Sequence, residues 1–225
     1  EYYELGRSAS EQVGNMVDAA VAAANTGEVL VNQGRYEEAL EPLTAARRIY
    51  ASSGFGEGVA WSDQLLGRLH GVEGDLDASI SSLEASVARW RSLGMDASGF
   101  EAAIPLADAE CRAGDPNAGL ATLEEAESWV PDDFRALYEV PVARVKGSIL
   151  EAAGRPEEAV EVLKKGLASD ELTGDPYESA LLVLTLDRVA PDQLGDGDAE
   201  QARRTLRTLG VRSVPGLDLG RGISA

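Results

Sequence analysis

The chain carries 39 acidic against 20 basic residues over 225 positions, a formal charge of −19 at pH 7. That balance argues against nucleic acid or an anionic membrane as partner, since either would meet a repulsive field. Its 44% hydrophobic but only 5% aromatic content is that of a globular, helix-rich protein rather than a disordered one. One cysteine, Cys111, excludes an internal disulfide framework and fits a reducing compartment, so a cytoplasmic location is expected. No apolar run reaches the 18 residues of a membrane span, and no signal peptide is visible. The first residue is Glu1 and not methionine, and the expectation is a piece of a longer polypeptide.

Residues 1–9 read as a lead-in. From there the chain keeps a 40-residue step. Gly34, Gly74, Gly114 and Gly154 form one column, and Leu43, Leu83, Leu123 and Leu163 a second. Leu40, Ile80, Leu120 and Val160 are apolar in register; Ala39, Ser79, Gly119 and Ala159 are small, as are Gly27, Gly67, Ala107 and Gly147. A fixed period of this length marks an array of stacked units. In the first unit, Val21, Ala24, Val29 and Leu30 lead to Gly34; Tyr36, Ala39, Leu40, Leu43, Ala46 and Ile49 or Tyr50 follow at helical spacing. Each unit is therefore two amphipathic helices with a glycine turn, where a positive φ is needed. The small columns let the two helices of a pair approach closely.

In chain order the spacing predicts helices over 10–33 and 36–52, 57–73 and 76–93, 97–113 and 116–129, 134–153 and 156–168. A degenerate fifth pair is predicted over 177–190 and 197–209, with Gly197, Ala202 and Leu206 near the register of Gly154, Ala159 and Leu163. The units are about 10–53, 56–94, 97–130, 134–170 and 176–209, making 10–209 one helical repeat domain; 210–225 reads as a partly ordered tail. Pro116 and Pro156 open second helices, where a missing N–H costs nothing, and Pro141 falls near the start of a first helix. Pro42 and Pro105 fall inside helices, so a kink or irregular turn is predicted at each. The fold class is all-α, an α-solenoid of about five helix pairs in a right-handed superhelix.

These columns resemble the tetratricopeptide repeat, best at Gly27, Gly34, Tyr36, Ala39, Leu43 and Ala46. The later units match less closely, with Ser79 and Gly119 in the small column and Glu110 in a usually apolar one. A narrower resemblance rests on Gly14-Asn15, Val17-Asp18-Ala19-Ala20, Gly27-Glu28-Val29-Leu30, Gln33-Gly34-Arg35, Ser53-Gly54-Phe55, Gly58-Val59-Ala60 and Leu66-Gly67-Arg68-Leu69. With the closing Leu206, Leu209-Gly210-Val211 and Val214-Pro215, these look like the C-terminal repeat region of actinobacterial class III adenylate/guanylate cyclases that also carry an ATPase domain. The resemblance implies a regulatory, non-catalytic segment, with the cyclase and ATPase residues upstream.

The residues that could carry chemistry read blandly. Gly54-Phe55-Gly56-Glu57-Gly58 lacks the preceding strand and the Gly-Lys-Ser/Thr of a phosphate loop, and reads as a connector. His70, in a column with Leu30, Glu110 and Leu150, reads as a packing histidine because no nucleophile is spaced to pair with it. Cys111 reads as a small packing residue, although the adjacent Arg112 could lower its pKa. With one His and one Cys, a zinc site is excluded; no cofactor, metal or catalytic residue is expected. The carboxylates Glu37/Glu38, Glu124/Glu125/Glu127, Asp132/Asp133 and Glu157/Glu158 mostly suit helix N-termini, and Trp61, Trp90 and Trp129 suit packing.

What remains is the face of the first helices. Its outward positions include Gln64, Arg68, Asp108, Arg112, Arg144 and Ser148. Arg68, Arg112 and Arg144 come from successive units and could form a basic ladder for an acidic peptide or a C-terminal carboxylate. The competing reading, that they pair with neighbouring carboxylates, carries more weight. The expected function is an interaction or regulatory module of a larger signalling protein, binding a protein or peptide or the host's own ATPase or cyclase domains. A stand-alone adaptor is the alternative, and an enzyme in its own right the least supported.

Overall fold

The computed structural model describes residues 15–173 and 175–219. Eleven α-helices lie among them: α1 (Met16–Asn32), α2 (Tyr36–Ser52), α3 (Gly56–Glu73), α4 (Leu76–Ser92), α5 (Asp96–Arg112), α6 (Pro116–Glu127), α7 (Asp132–Leu137), α8 (Glu139–Ala152), α9 (Pro156–Thr173), α10 (Pro176–Val189) and α11 (Asp198–Thr208). A 3₁₀ turn, Pro191–Gln193, precedes α11. The described residues contain no β-strand beyond the isolated bridge Val214–Leu217. The chain divides into two compact units, one ending at Leu106 and the other beginning at Ala107.

In the first unit, α1 pairs with α2 and α3 with α4, and α2 also packs on α3. The α3/α4 pair is antiparallel: Ser79 Oγ donates to the Gly67 carbonyl at 2.8 Å, and Ser86 Oγ to the Ala60 carbonyl at 2.8 Å. In the second unit, α8 pairs with α9 and α10 with α11, while α10 packs on both α8 and α9. The all-α fold of successive helix pairs is the one the columns predict. Predicted and observed helix bounds agree closely up to residue 129; the predicted residues 10–14 lie outside the described residues.

The leucine column is the core. Leu43, Leu83, Leu123 and Leu163 are each no more than 1% exposed. Three of them rest on the small first-helix column. A Cβ built on Gly67 would stand 2.5 Å from Leu83 Cγ, and one on Gly147 2.6 Å from Leu163 Cγ; Gly27 is as tight against Leu43. The third pair reverses the arrangement. Its first helix carries Ala107, and the glycine moves across to Gly119, where a Cβ would meet the Ala107 carbonyl oxygen at 2.6 Å. Leu40, by contrast, is exposed, and Ile80, Leu120 and Val160 are only partly covered. Val21 and Val29 of α1 are exposed as well.

The turn glycines have the left-handed backbone the sequence demands, with φ between 71° and 100° at Gly34, Gly74, Gly114 and Gly154. After each, the next amide donates five residues back: Arg35 to the Leu30 carbonyl at 2.8 Å, Asp75 to His70 at 3.0 Å, Asp115 to Glu110 at 3.1 Å and Arg155 to Leu150 at 2.9 Å. These 6→1 bonds satisfy carbonyls that a helix end would otherwise leave unpaired. Gly54 and Gly94, between pairs, do the same with φ of 68° and 72°, their followers Phe55 and Met95 donating to Tyr50 and Trp90 at 3.0 Å. From Gly34 to Gly114 the true step is thus 20 residues, one helix and one turn.

Two expectations need correction. The helix predicted over 134–153 is two helices, α7 and α8, meeting at Tyr138. Pro141 is the cause: it has no N–H to offer the carbonyl four residues back, Leu137, which is the last residue of α7. Pro42 and Pro105 bring no irregular turn, and α2 and α5 run on through both. The tail packs on the helices over its described part. Val211 is buried, and Val214, Leu217 and Leu219 pack on α10 and α11.

One polar pair stands inside the first unit. Asp63 of α3 is only 4% exposed and accepts from Arg47 of α2. Its column is otherwise Ala23, Ala103, Ala143 and Val183. Its second oxygen has no partner, and neither do Tyr50 Oη, Ser62 Oγ or Trp90 Nε1; among the described residues the buried unpartnered side-chain atoms are confined to α2–α4.

Two predictions follow from this packing, both read by urea unfolding. Leu83→Ala should cost roughly 2–5 kcal/mol and Gly67→Ala about 1–3 kcal/mol, while the double variant should cost less than their sum, because the new methyl enters the space the leucine leaves. Additivity would show that the two positions do not touch. For the buried pair, Arg47→Val alone should cost on the order of 3 kcal/mol by stranding a carboxylate. Arg47→Val/Asp63→Ala, which copies Val87 and Ala103 one unit on, should recover most of it.

Candidate functional site

The first helices present a polar column at the 40-residue step: Glu28, Arg68, Asp108, Ser148 and Arg188. In the first unit, Arg68 of α3 donates to Asn32 Oδ1 of α1 and stands 4.0 Å from Glu28. Gln64, one turn before Arg68, is half-buried. In this unit the column therefore ties α1 to α3 through charge.

In the second unit, Arg112 and Asp108 face each other at 3.6 Å one turn apart on α5. Arg144 of α8 reaches Glu178 of α10, Nε to Oε2 at 2.9 Å and Nη2 to Oε1 at 3.5 Å. Burial opposes the Arg144 charge, but Glu178, and after it Asp108, raise its pKa further above the ordinary arginine value. Arg188 of α10 bridges back to α8, donating to Glu151 and, at 3.4 Å, to Ser148 Oγ. Arg68, Arg112 and Arg144 thus each have a carboxylate within ion-pair reach. Glu28, Asn32, Glu151, Glu178 and Arg188 belong to this face although sequence reasoning did not single them out. The register would have found Glu28 and Arg188, since each lies a multiple of 40 residues from Arg68.

The other singled-out residues fall where packing needs them. Gly54 is the α2–α3 connector, Gly56 opens α3, and Gly58 receives the Tyr50 ring face. Desolvation pushes the Tyr50 hydroxyl up to about 12. His70 is half-buried, its Nδ1 4.0 Å from Glu73. Trp90 is buried against Ala60 and Ala102, and Trp61 packs alongside. Glu37 and Glu38 lie in the first turn of α2, Asp132 and Asp133 in that of α7, and Glu157 and Glu158 in that of α9. Glu124, Glu125 and Glu127 instead lie in the second half of α6.

Cys111 is half-buried on α5. Its thiol is pushed up, first by burial and then by Asp108, and these outweigh the lowering by Arg112. Among the described residues no group of three or more His, Cys, Asp or Glu could hold a metal ion, and no helix is long and apolar enough to cross a membrane. An open groove of about 420 Å³ runs between α10 and α11, floored by Pro176, Ala180, Val183 and Ala202 and rimmed by Ser179, Gln201 and Thr205.

Residues 20–41 match the family model described as tetratricopeptide repeat. The match runs from the middle of α1, through the Gly34 turn, into α2, and so covers the glycine–leucine contact's first-helix half and the small residue Ala39. No curated protein matches the chain. The match and the successive helix pairs together support a tetratricopeptide-type interaction module.

Cys111 supplies a test of the local field. Because its thiolate is disfavoured, alkylation by iodoacetamide should reach half-maximal rate at a higher pH than for a free cysteine. Asp108→Asn should move that midpoint down and Arg112→Ala should move it up. A midpoint at or below that of free cysteine would contradict the geometry.

Proposed function

We propose that the chain is a non-catalytic interaction and regulatory module of a larger signal-transduction protein of the cyclase–ATPase type. It binds a protein, a peptide or the host's own domains through the polar outer positions of its first helices. The observation that carries the reading is the polar column Glu28, Arg68, Asp108, Ser148 and Arg188 of α1, α3, α5, α8 and α10, with Arg112 one turn after it and Arg144 one turn before it, on helices that otherwise bury alanine and leucine. Gln64, Arg68, Asp108, Arg112, Arg144 and Ser148 are the contacts assigned to the ligand. An acidic ligand would take over the arginine ion pairs now made with Glu28, Asp108 and Glu178, so its binding weakens as salt rises. Regulation of a remote output domain requires that the ligand favour one state of the host over another.

The test is binding of acidic peptides, ending in a free carboxylate, to the full chain and to Arg68→Ala/Arg112→Ala. A loss of about tenfold or more is expected, the order that one or two charge-assisted hydrogen bonds supply. Unchanged affinity removes the arginine ladder from the account.

A further inference from the structure

Two column leucines of the second helices, Leu43 and Leu163, do more than fill their own pair: each is a seat for the next first helix. In the first unit, Leu43 and Ala39 share a buried cluster with Leu65 and Leu69 of α3, leucines one turn apart. In the second, Leu163 shares one with Leu182 and Leu186 of α10, again one turn apart. These four seated leucines are at most 1% exposed. Leu206 of α11 is the last seat in the described chain, and no helix lies on it. It is covered instead by the segment 211–219, whose Val211, Val214, Leu217 and Leu219 pack on Leu181, Leu184, Ala202 and Leu206.

That strap fits less well than a helix does. Only Val211 is buried; Val214, Leu217 and Leu219 remain partly exposed. Its backbone turns at Pro215-Gly216, with Gly216 at φ 75° and the Leu217 amide 3.2 Å from the Val214 carbonyl, the pattern of a type II turn. Two arginines hold its far end by main-chain oxygens, Arg203 Nε to Asp218 O at 3.0 Å and Arg207 Nη1 to Leu219 O at 3.2 Å.

We infer that the α10/α11 seat under this strap is a docking surface for an amphipathic helix carrying leucines four residues apart, and that the strap occupies it in the partner's absence. The argument is continuity: the same seat, built from the same column, receives such a helix twice within this chain. The strap already covers the seat, whose Leu181, Leu184, Ala202 and Leu206 are at most 5% exposed. The gain for a partner helix lies on its own side, since its two leucines would be buried as Leu182 and Leu186 are, where the strap leaves Val214, Leu217 and Leu219 partly exposed. While the strap is down, apparent affinity falls by the fraction of molecules that are open. The inference is independent of the charged first-helix face, since none of the proposed ligand contacts there belongs to the strap or its seat.

The test uses the full chain and a variant loosened only in the strap, Leu217→Asp/Leu219→Asp. The probe is a fluorescent peptide of residues 56–73, which presents Leu65 and Leu69, read by anisotropy; the control peptide carries Leu65→Asp and Leu69→Asp. The loosened chain should bind the probe at least tenfold more tightly than the parent and ignore the control. Hydrogen exchange should show the strap amides opening while those of 176–189 stay protected. Equal binding by parent and variant, with 176–189 still protected, overturns the inference. So does loss of protection across α10 and α11 together, which would make the strap an inseparable part of the fold. Self-association of the loosened chain that the probe cannot compete away would also overturn it, by giving the seat to a second copy.

Discussion

The distance between the two helices of a pair is set by a leucine side chain lying directly on a glycine backbone, and the rest of the repeat depends on that contact. With Leu83 against Gly67, or Leu163 against Gly147, there is no room for a single added carbon. The helices are therefore close enough for Ser79 to reach the Gly67 carbonyl, and the leucine is left fully enclosed. The third pair shows that the constraint is on the contact and not on one helix, because Ala107 is accommodated by a glycine on the opposite side at Gly119. The fifth pair relaxes it. There Leu184 and Leu206 share a cluster and neither α10 nor α11 carries a glycine, and a groove lies between the two helices.

Charge is arranged on top of this apolar scaffold, between neighbouring first helices. Glu28 with Arg68, Arg144 with Glu178, and Arg188 with Glu151 each link a first helix to the next. Such partly exposed pairs add little to stability one at a time. Their effect is on specificity, because an array of near-identical helices has many apolar registers of similar energy and few that match every charge. The buried Arg47–Asp63 pair acts more strongly in the same sense, since any slip of α3 against α2 would strand a carboxylate away from water.

Much of this was legible in the residue order. The 40-residue columns gave the helix pairs, the turn glycines and the leucine core, because each rests on a local rule: positive φ, close approach, helical spacing. The 20-residue step was equally present in Gly54 and Gly94 but hidden, since position 134 holds Phe and the beat fails there. The break between α7 and α8 was readable from Pro141 and the carbonyl of Leu137, had the proline's effect been counted backward by four residues. Other features were not local at all. That Arg144 would meet Glu178, 34 positions away, depends on how α8 and α10 lie beside one another. The strap gave no periodic signal, because one turn and two arginines of α11 hold it and no repeating backbone ladder does.

The way those arginines grip the strap has a consequence for variation. Arg203 and Arg207 bind carbonyl oxygens at positions 218 and 219, and every amino acid offers the same oxygen. The clasp therefore reads the path of the main chain and is blind to the side chains it holds. The two arginines are not free to vary without loosening it, and Gly216, with its left-handed backbone, is fixed by the course the chain must take to reach them.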